Sequence, residues 1–287
     1  SLALDNDFTG GVHVEGGTLE VLDSKALGSG AVRLEEGATL RLDNNSSITL
    51  SGSEHVIRGN LEVAKGSYLE LDFPDTSRIH AEECQIDGTL ELTGSNMSYG
   101  GNAIDKPTYI SGSGLLEMSG SGNKFTFAGP KLNNYVSDFN GTYKVSGSNN
   151  SMRFASLGYR GAGQLIVEGA GNEILLRYSQ TNEVTQDLDA WMMDGGVIAL
   201  QDGGKIVAGK VVMEGGSTLI VSGAGNKISL ASETAPTSKW QDSLYLLYDS
   251  TLDMTVGSGN ALDGGAAVLT VGGLVFFGGD SPDDYSA

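Results

Sequence analysis

Cysteine is nearly missing from this chain. Cys84 stands alone among 287 residues, which excludes a disulfide framework and any Cys-rich zinc site. No basic or His-rich stretch lies beside it to lower its pKa, so Cys84 reads as a small buried apolar residue, not a reactive thiol. Sustained helical periodicity is missing as well, and Glu183–Met193 is the one stretch with room for a helical turn. No apolar run approaches the roughly 20 residues of a membrane-spanning helix. The most apolar stretches, Ser243–Tyr248 and Gly273–Phe277, are strand-sized, so no membrane insertion by this segment is expected.

Positive charge is scarce: 17 Lys and Arg stand against 36 Asp and Glu, a formal net charge of −19. That balance argues against nucleic acid, heparin-like polymers and anionic bilayers as partners, because each needs a basic surface. Dispersed negative charge does keep a long β-surface soluble.

What the chain does have is glycine, 43 of them, and a phrase that returns. Ser119–Phe127 reads S-G-S-G-N-K-F-T-F, Ser146–Phe154 S-G-S-N-N-S-M-R-F, Glu168–Leu176 E-G-A-G-N-E-I-L-L and Ser222–Leu230 S-G-A-G-N-K-I-S-L. Each is a Gly/Asn turn feeding an alternating strand. The shared Asn123, Asn150, Asn172 and Asn226 are 27, 22 and 54 residues apart, the last step counting as two units. A unit of that length cannot bury its apolar face alone and must stack on its neighbours.

Period-two alternation bounded by Gly turns continues along the chain, as in Val12–Val14, Leu19–Val21, Leu40–Leu42, Leu61–Val63 and Leu219–Val221. Three short strands and three turns need about 20–30 residues per coil, which selects a right-handed parallel β-helix over a sandwich or a barrel. On the order of eleven coils are expected at this period, continuous over residues 1–278, with 279–287 as a flexible polar tail. Asn96–Tyr109, Pro130–Phe139, Gln180–Trp191 and Ala231–Asp242 break the rhythm. Such insertions map to one face of a solenoid and often carry its binding function.

Residues 8–21, F-T-G-G-V-H-V-E-G-G-T-L-E-V, lead to A-L-G-S-G at Ala26–Gly30 and G-A-T-L at Gly37–Leu40. This resembles the passenger-associated repeat of bacterial autotransporters, closely over residues 8–42 and in style beyond them. The resemblance implies a β-helix exported to the bacterial cell surface, with adhesion or self-association as family roles and protease or esterase activity in some members. Family members end in a membrane-spanning barrel, whereas residues 279–284 are polar. The segment is therefore expected to be part of a longer exported polypeptide whose signal and anchor lie elsewhere.

Catalytic chemistry finds little support. The histidines are His13, His55 and His80. His13 sits in an alternating strand, His55 at a turn resembling the recurring Asn position, and His80 near Glu82 and Glu83 without a G-x-S-x-G elbow. The acid pairs Asp187/Asp189, Asp72/Asp75 and Asp283/Asp284 read as solvated loop acids, although a hydrolase would need two carboxylates about 5–10 Å apart across a cleft. Asp194-Gly195-Gly196, Asp202-Gly203-Gly204 and Asp263-Gly264-Gly265 resemble fragments of calcium-binding repeats, but they read as turns. No catalytic, cofactor or metal residue is assigned.

Aromatic faces beside polar groups suit carbohydrate. Tyr99, Tyr109, Tyr135, Tyr159, Trp191 and Trp240 lie in or near the rhythm-breaking stretches and are the candidate ligand contacts, with buried loop anchoring the competing reading for all six and the favoured one for the two tryptophans. The expected function is a non-enzymatic extracellular stalk or adhesin. Its partners would be host or matrix glycans or proteins, or other copies of itself. The alternatives are a carbohydrate-active β-helix enzyme and a pure spacer.

Overall fold

The computed structural model describes residues 1–2, 5–7, 9–52, 54–74, 81, 83–99, 109–127, 132–133, 136–137, 139–154, 159–179, 185–187, 189–230, 243–246, 249–254, 261–264 and 267–270. Among them there is no helix. The strands are two to seven residues long and stack in parallel as a three-faced β-solenoid.

The chain visits the faces in a fixed order. Face one holds Val12–Val14, Val32–Leu34 and Val56–Ile57, then Ser98–Tyr99, Lys124–Phe127, Ser151–Phe154, Glu173–Ser179, Lys205–Ala208, Lys227–Leu230 and Ala261–Gly264. Face two holds Gly17–Val21, Ala38–Leu42, Asn60–Val63, Glu83–Ile86 and Tyr109–Ser111, then Tyr159–Gly161, Asp189–Met192, Lys210–Met213 and Ser243–Leu246. Face three is one unbroken sheet of nine strands: Ser47–Ser51, Tyr68–Asp72, Thr89–Leu92, Leu115–Met118, Thr142–Val145, Gln164–Glu168, Val197–Gln201, Thr218–Ser222 and Thr251–Met254. Strands spaced about 4.8 Å apart make that sheet roughly 40 Å long.

Register aligns like residues from coil to coil. Ile48, Leu69, Leu90, Leu116, Tyr143, Leu165, Ile198 and Leu219 form one inward column of face three, and all are at most 4 % exposed. Phe139, Tyr143 and Phe154 fill the middle of the core, with ring centroids 4.6 and 5.0 Å apart. Leu40, Leu61, Cys84 and Ile110 form a column on face two. Cys84 is the small member of a hydrophobic stack, as its surroundings in sequence suggested.

The recurring asparagines line up, and their side chains explain why. Where the chain turns from face three to face one, sheet bonding stops and backbone groups need other partners. The backbone N–H of Met97 donates to Asn123 Oδ1 (2.8 Å), that of Asn123 to Asn150 Oδ1 (2.8 Å), and that of Asn150 to Asn172 Oδ1 (2.9 Å). The Nδ2 groups of Asn150 and Asn172 donate back to Ser146 O and Glu168 O, four residues earlier in their own turns. These asparagines are fully buried. The side chains of Asn150 and Asn172 therefore close their own turns and tie them to the previous coil, and that of Asn123 binds the previous coil through Met97 N and Gly94 O.

His55 performs the same task with a ring. Val32 N–H donates to His55 Nδ1 (3.0 Å), and Nε2 donates to Ser51 O (3.0 Å), again four residues back. Those two partners require the neutral ring with its proton on Nε2. The 54-residue step between Asn172 and Asn226 does comprise two coils, but unequal ones of 32 and 22 residues, since Glu173 pairs with Lys205 and Lys205 with Lys227. Gly204 stands at the missing ladder position, and its N–H donates to Asn226 Oδ1 (3.1 Å).

Two expectations change. The stretch Glu183–Met193 contains strands Thr185–Asp187 and Asp189–Met192 instead of a helical turn. Arg177, Tyr178 and Ser179 pair with the first of these, and face two takes up the second. Among the described residues face one collects ten strands and face three nine, fewer than the eleven coils expected, because insertions lengthen two steps to 33 residues, Leu165 to Ile198 and Leu219 to Leu252.

Replacing Asn150 with Ala leaves Asn123 N–H and two carbonyls of the turn without that partner. Urea denaturation should show a loss of at least about 2 kcal/mol. His55→Asn, which restores the ladder residue, should stay within about 1 kcal/mol of the native chain, whereas His55→Phe should cost as much as Asn150→Ala.

Candidate functional site

The three corners differ in how much length they tolerate. From face two to face three, flanking strands are separated by two to four residues, as between Gly161 and Gln164 or Met213 and Thr218. Here backbones nearly touch: a Cβ added to Gly114 would lie 2.0 Å from Gly88 O. From face three to face one, the asparagine corner, the links are three to six residues. From face one to face two, they run from one residue, between Ala208 and Lys210, to twelve, between Leu230 and Ser243.

All four rhythm-breaking stretches fall at this third corner. Residues 100–108 connect Tyr99 to Tyr109, 180–188 connect Ser179 to Asp189, and 231–242 connect Leu230 to Ser243. Residues 128–138 connect Phe127 to Phe139, which bridges to Gly112 on face two. Antiparallel pairs add to it: Leu132–Asn133 with Val136–Ser137, and the end of Glu173–Ser179 with Thr185–Asp187. The fold thus gathers insertions scattered over some 150 residues of sequence onto one edge.

The candidate aromatics follow. Tyr99 ends its strand just before one insertion, and Tyr109 opens a strand just after it. Tyr109 is 36 % exposed. Tyr159 begins a strand of face two, in register with Ala190. Trp191 lies between Arg160 and Val212 on the same face and is partly buried, held in a strand instead of a loop. Tyr135 and Trp240 lie outside the described residues. The structure therefore places Tyr99, Tyr109 and Tyr159 beside this corner, the first two at either side of one insertion, and sets Trp191 further along a strand of face two.

The other chemical candidates separate. Asp187 pairs in register with Arg177, and Asp189 with Lys210. Asp194 and Asp202 take left-handed turn conformations, with φ of 52° and 49°. Exposed His13 sits beside Glu35, Nε2 to Oε1 3.3 Å. His80, Asp75, Asp283 and Asp284 lie outside the described residues. Among those described, no group of three or more His, Cys, Asp and Glu side chains is placed to hold a metal ion, and no helix is long and apolar enough to cross a membrane.

One arrangement escaped the sequence reading: a row of carboxylates along face three. Glu70, Glu91 and Glu117 occupy the same outward position in consecutive strands, and Lys144 follows them. Hydroxyls hold each one. Thr49 and Thr93 donate to Glu70 (3.0 and 2.8 Å), Tyr68 and Ser119 to Glu91 (2.5 and 2.6 Å), and Ser146 to Glu117 (3.0 Å). Lys144 Nζ closes the row on Glu117 at 2.9 Å. Burial first, and then Glu91, push the Tyr68 hydroxyl above its ordinary value, so it remains a donor. The hydrogen bond to Glu117 raises the Lys144 ammonium in the same way. The recurrent phrases Y-L-E-L, T-L-E-L and L-L-E-M at Tyr68–Leu71, Thr89–Leu92 and Leu115–Met118 were the available signal. These acids stand side by side on a sheet, whereas glycoside hydrolysis places its two carboxylates across a sugar.

No protein-family model matches the chain, and neither a curated protein nor a solved structure does.

Cys84 supplies a pH test. Burial, with a smaller contribution from Glu83, pushes its thiol from an ordinary 9.0 up to about 12. The unfolded chain loses that proton earlier, so stability is complete below pH 9.0 and drains as pH rises from 9.0 towards about 12. Tyr68 acts in the same direction from its ordinary 10.0 upward. Chemical denaturation between pH 8 and 11 should show this fall, and Cys84→Ala should blunt it. Native Cys84 should resist maleimide until the chain is unfolded in urea.

Proposed function

We propose that this chain is the rigid, non-enzymatic stem of an exported surface protein, similar in kind to autotransporter passengers, that presents binding loops along one edge to host or matrix glycans or proteins. The observation that carries this reading is that all four rhythm-breaking stretches fall at the corner between faces one and two. A stem that needed only length would have no cause to enlarge a single corner repeatedly. Coils fix the spacing between successive loops at multiples of about 4.8 Å. Many weak contacts along the edge then add through multivalency. Tyr109 offers the aromatic face that carbohydrate favours.

The mechanism asks nothing of catalysis. Strands at either side of each insertion are locked into the stack, so the anchor points of each loop are fixed before a ligand arrives. Resemblance of residues 8–42 to the passenger-associated repeat supports the surface location.

The test uses panels of immobilised matrix glycoproteins and glycans. The native chain should bind at least one member, and replacing residues 231–242 with a two-residue Gly-Ser link should weaken that binding while circular dichroism stays unchanged. Tyr109→Ala should weaken glycan capture further. Absence of binding by the native chain, or equal binding by the trimmed chain, overturns the proposal. So does turnover of a polysaccharide that one Asp or Glu substitution abolishes.

A further inference from the structure

The winding sorts charge between faces in a way that the net charge conceals. Among the described residues, the strands of face three carry Glu70, Asp72, Glu91, Glu117, Glu168 and Asp253 against one cation, Lys144. Those of face one carry Arg33, Lys124, Arg153, Arg177, Lys205 and Lys227 against Glu173 and Asp263. A chain with twice as many acids as bases therefore presents one basic face. The formal net charge of −19 is an average over the chain and does not describe any one side.

We infer that face one of one copy docks laterally on face three of a second copy of this chain, with the two stacking axes antiparallel. Reading along face three, the outward charges run Glu91, Glu117, Lys144 and then, one coil on and two residues further along the strand, Glu168. Reading backwards along face one, they run Lys227, Lys205, Glu173 and then, one coil on and two residues further along the strand, Arg153. The signs are opposite at all four places.

One rigid alignment satisfies them all. Both faces share the same coil spacing, so charges matched at one coil stay matched at the next. Both also belong to one winding, so turning one face against the other with the stacking axis inverted leaves the strands running in the same direction. The two-residue offset then falls on the same side in both copies. The built-in ion pairs fit this arrangement too. Glu117 with Lys144 (2.9 Å) and Glu173 with Lys205 (3.2 Å) run in the same sense along their faces. Antiparallel docking sets each charge of one pair against the opposite charge of the other, and parallel docking would set like against like.

One mismatch, Asp72 with Asp263, falls a coil beyond these four, at the rim, where water and salt screen it. Because the two faces differ, the contact is heterologous and each copy keeps a free face for another. Association does not depend on the corner loops, and it goes beyond the binding function proposed above.

Sedimentation velocity on the whole chain tests it. At about 0.15 M salt, where charges more than about 8 Å apart are screened, the native chain should associate with rising concentration, and about 1 M salt should reverse this. The variants Lys205→Glu/Lys227→Glu and Glu91→Lys/Glu117→Lys should each need roughly tenfold or more protein to associate. Mixed together they should associate again, because the reversed faces complement each other. That recovery requires both variants to be folded, so it separates a lost contact from a lost fold. A native chain that stays monomeric, variants that associate like the native chain, or a mixture that stays monomeric overturns the inference. Heparin binding that the Lys205→Glu/Lys227→Glu variant loses, by a chain that remains monomeric, would assign face one to an anionic polymer and overturn it as well.

Discussion

Everything in this solenoid depends on closing each turn at the corner between faces three and one. Strand pairing satisfies the backbone along each face, but it cannot reach round a bend. A buried asparagine at that bend accepts from the coil before it and donates within its own turn. Two hydrogen-bonding groups on a short side chain are the minimum that can do both. Where the chain substitutes His55, the ring keeps both contacts. Where it substitutes Gly204, the turn's own N–H reaches forward to Asn226 instead. The constraint lies in the pattern of backbone satisfaction, and the residue is free to vary only within it.

This constraint divides the surface. The asparagine corner cannot lengthen without breaking its ladder, and the corner between faces two and three is too crowded to admit extra chain. Among the described residues, the corner between faces one and two repeats no such bond or close contact from coil to coil, and extra residues collect there. The faces, meanwhile, expose every second side chain at a fixed pitch. Repetition makes their charges add in rows, as Glu70, Glu91 and Glu117 do. A loop-bearing edge and charged flat faces are thus two products of one repeat.

Much of this was legible in the residues. Alternation bounded by Gly turns gave the strands, and the spacing of Asn123, Asn150 and Asn172 gave the coil. His55 was recognisable as an Asn substitute because it occupies the same place in its turn. Cys84 was recognisable as core because nothing nearby would activate it. Glu183–Met193 misled, since an insertion with its own antiparallel strand interrupts the period on which the reading relied. The Glu row went unread although its phrases repeat, because each glutamate taken alone is an ordinary outward residue of an alternating strand.

Local pattern by itself determined that short strands would stack, which side chains would face inward, and which turns would bear the asparagines. These follow from a period of two and from the geometry of single turns. Only the tertiary structure decided which face each strand joined, that insertions far apart in the chain share one corner, and that acids and bases segregate to different sides. Those facts depend on how many residues each coil consumes before it returns to the same face, and the varying insertions hide that number until the coils are laid on one another.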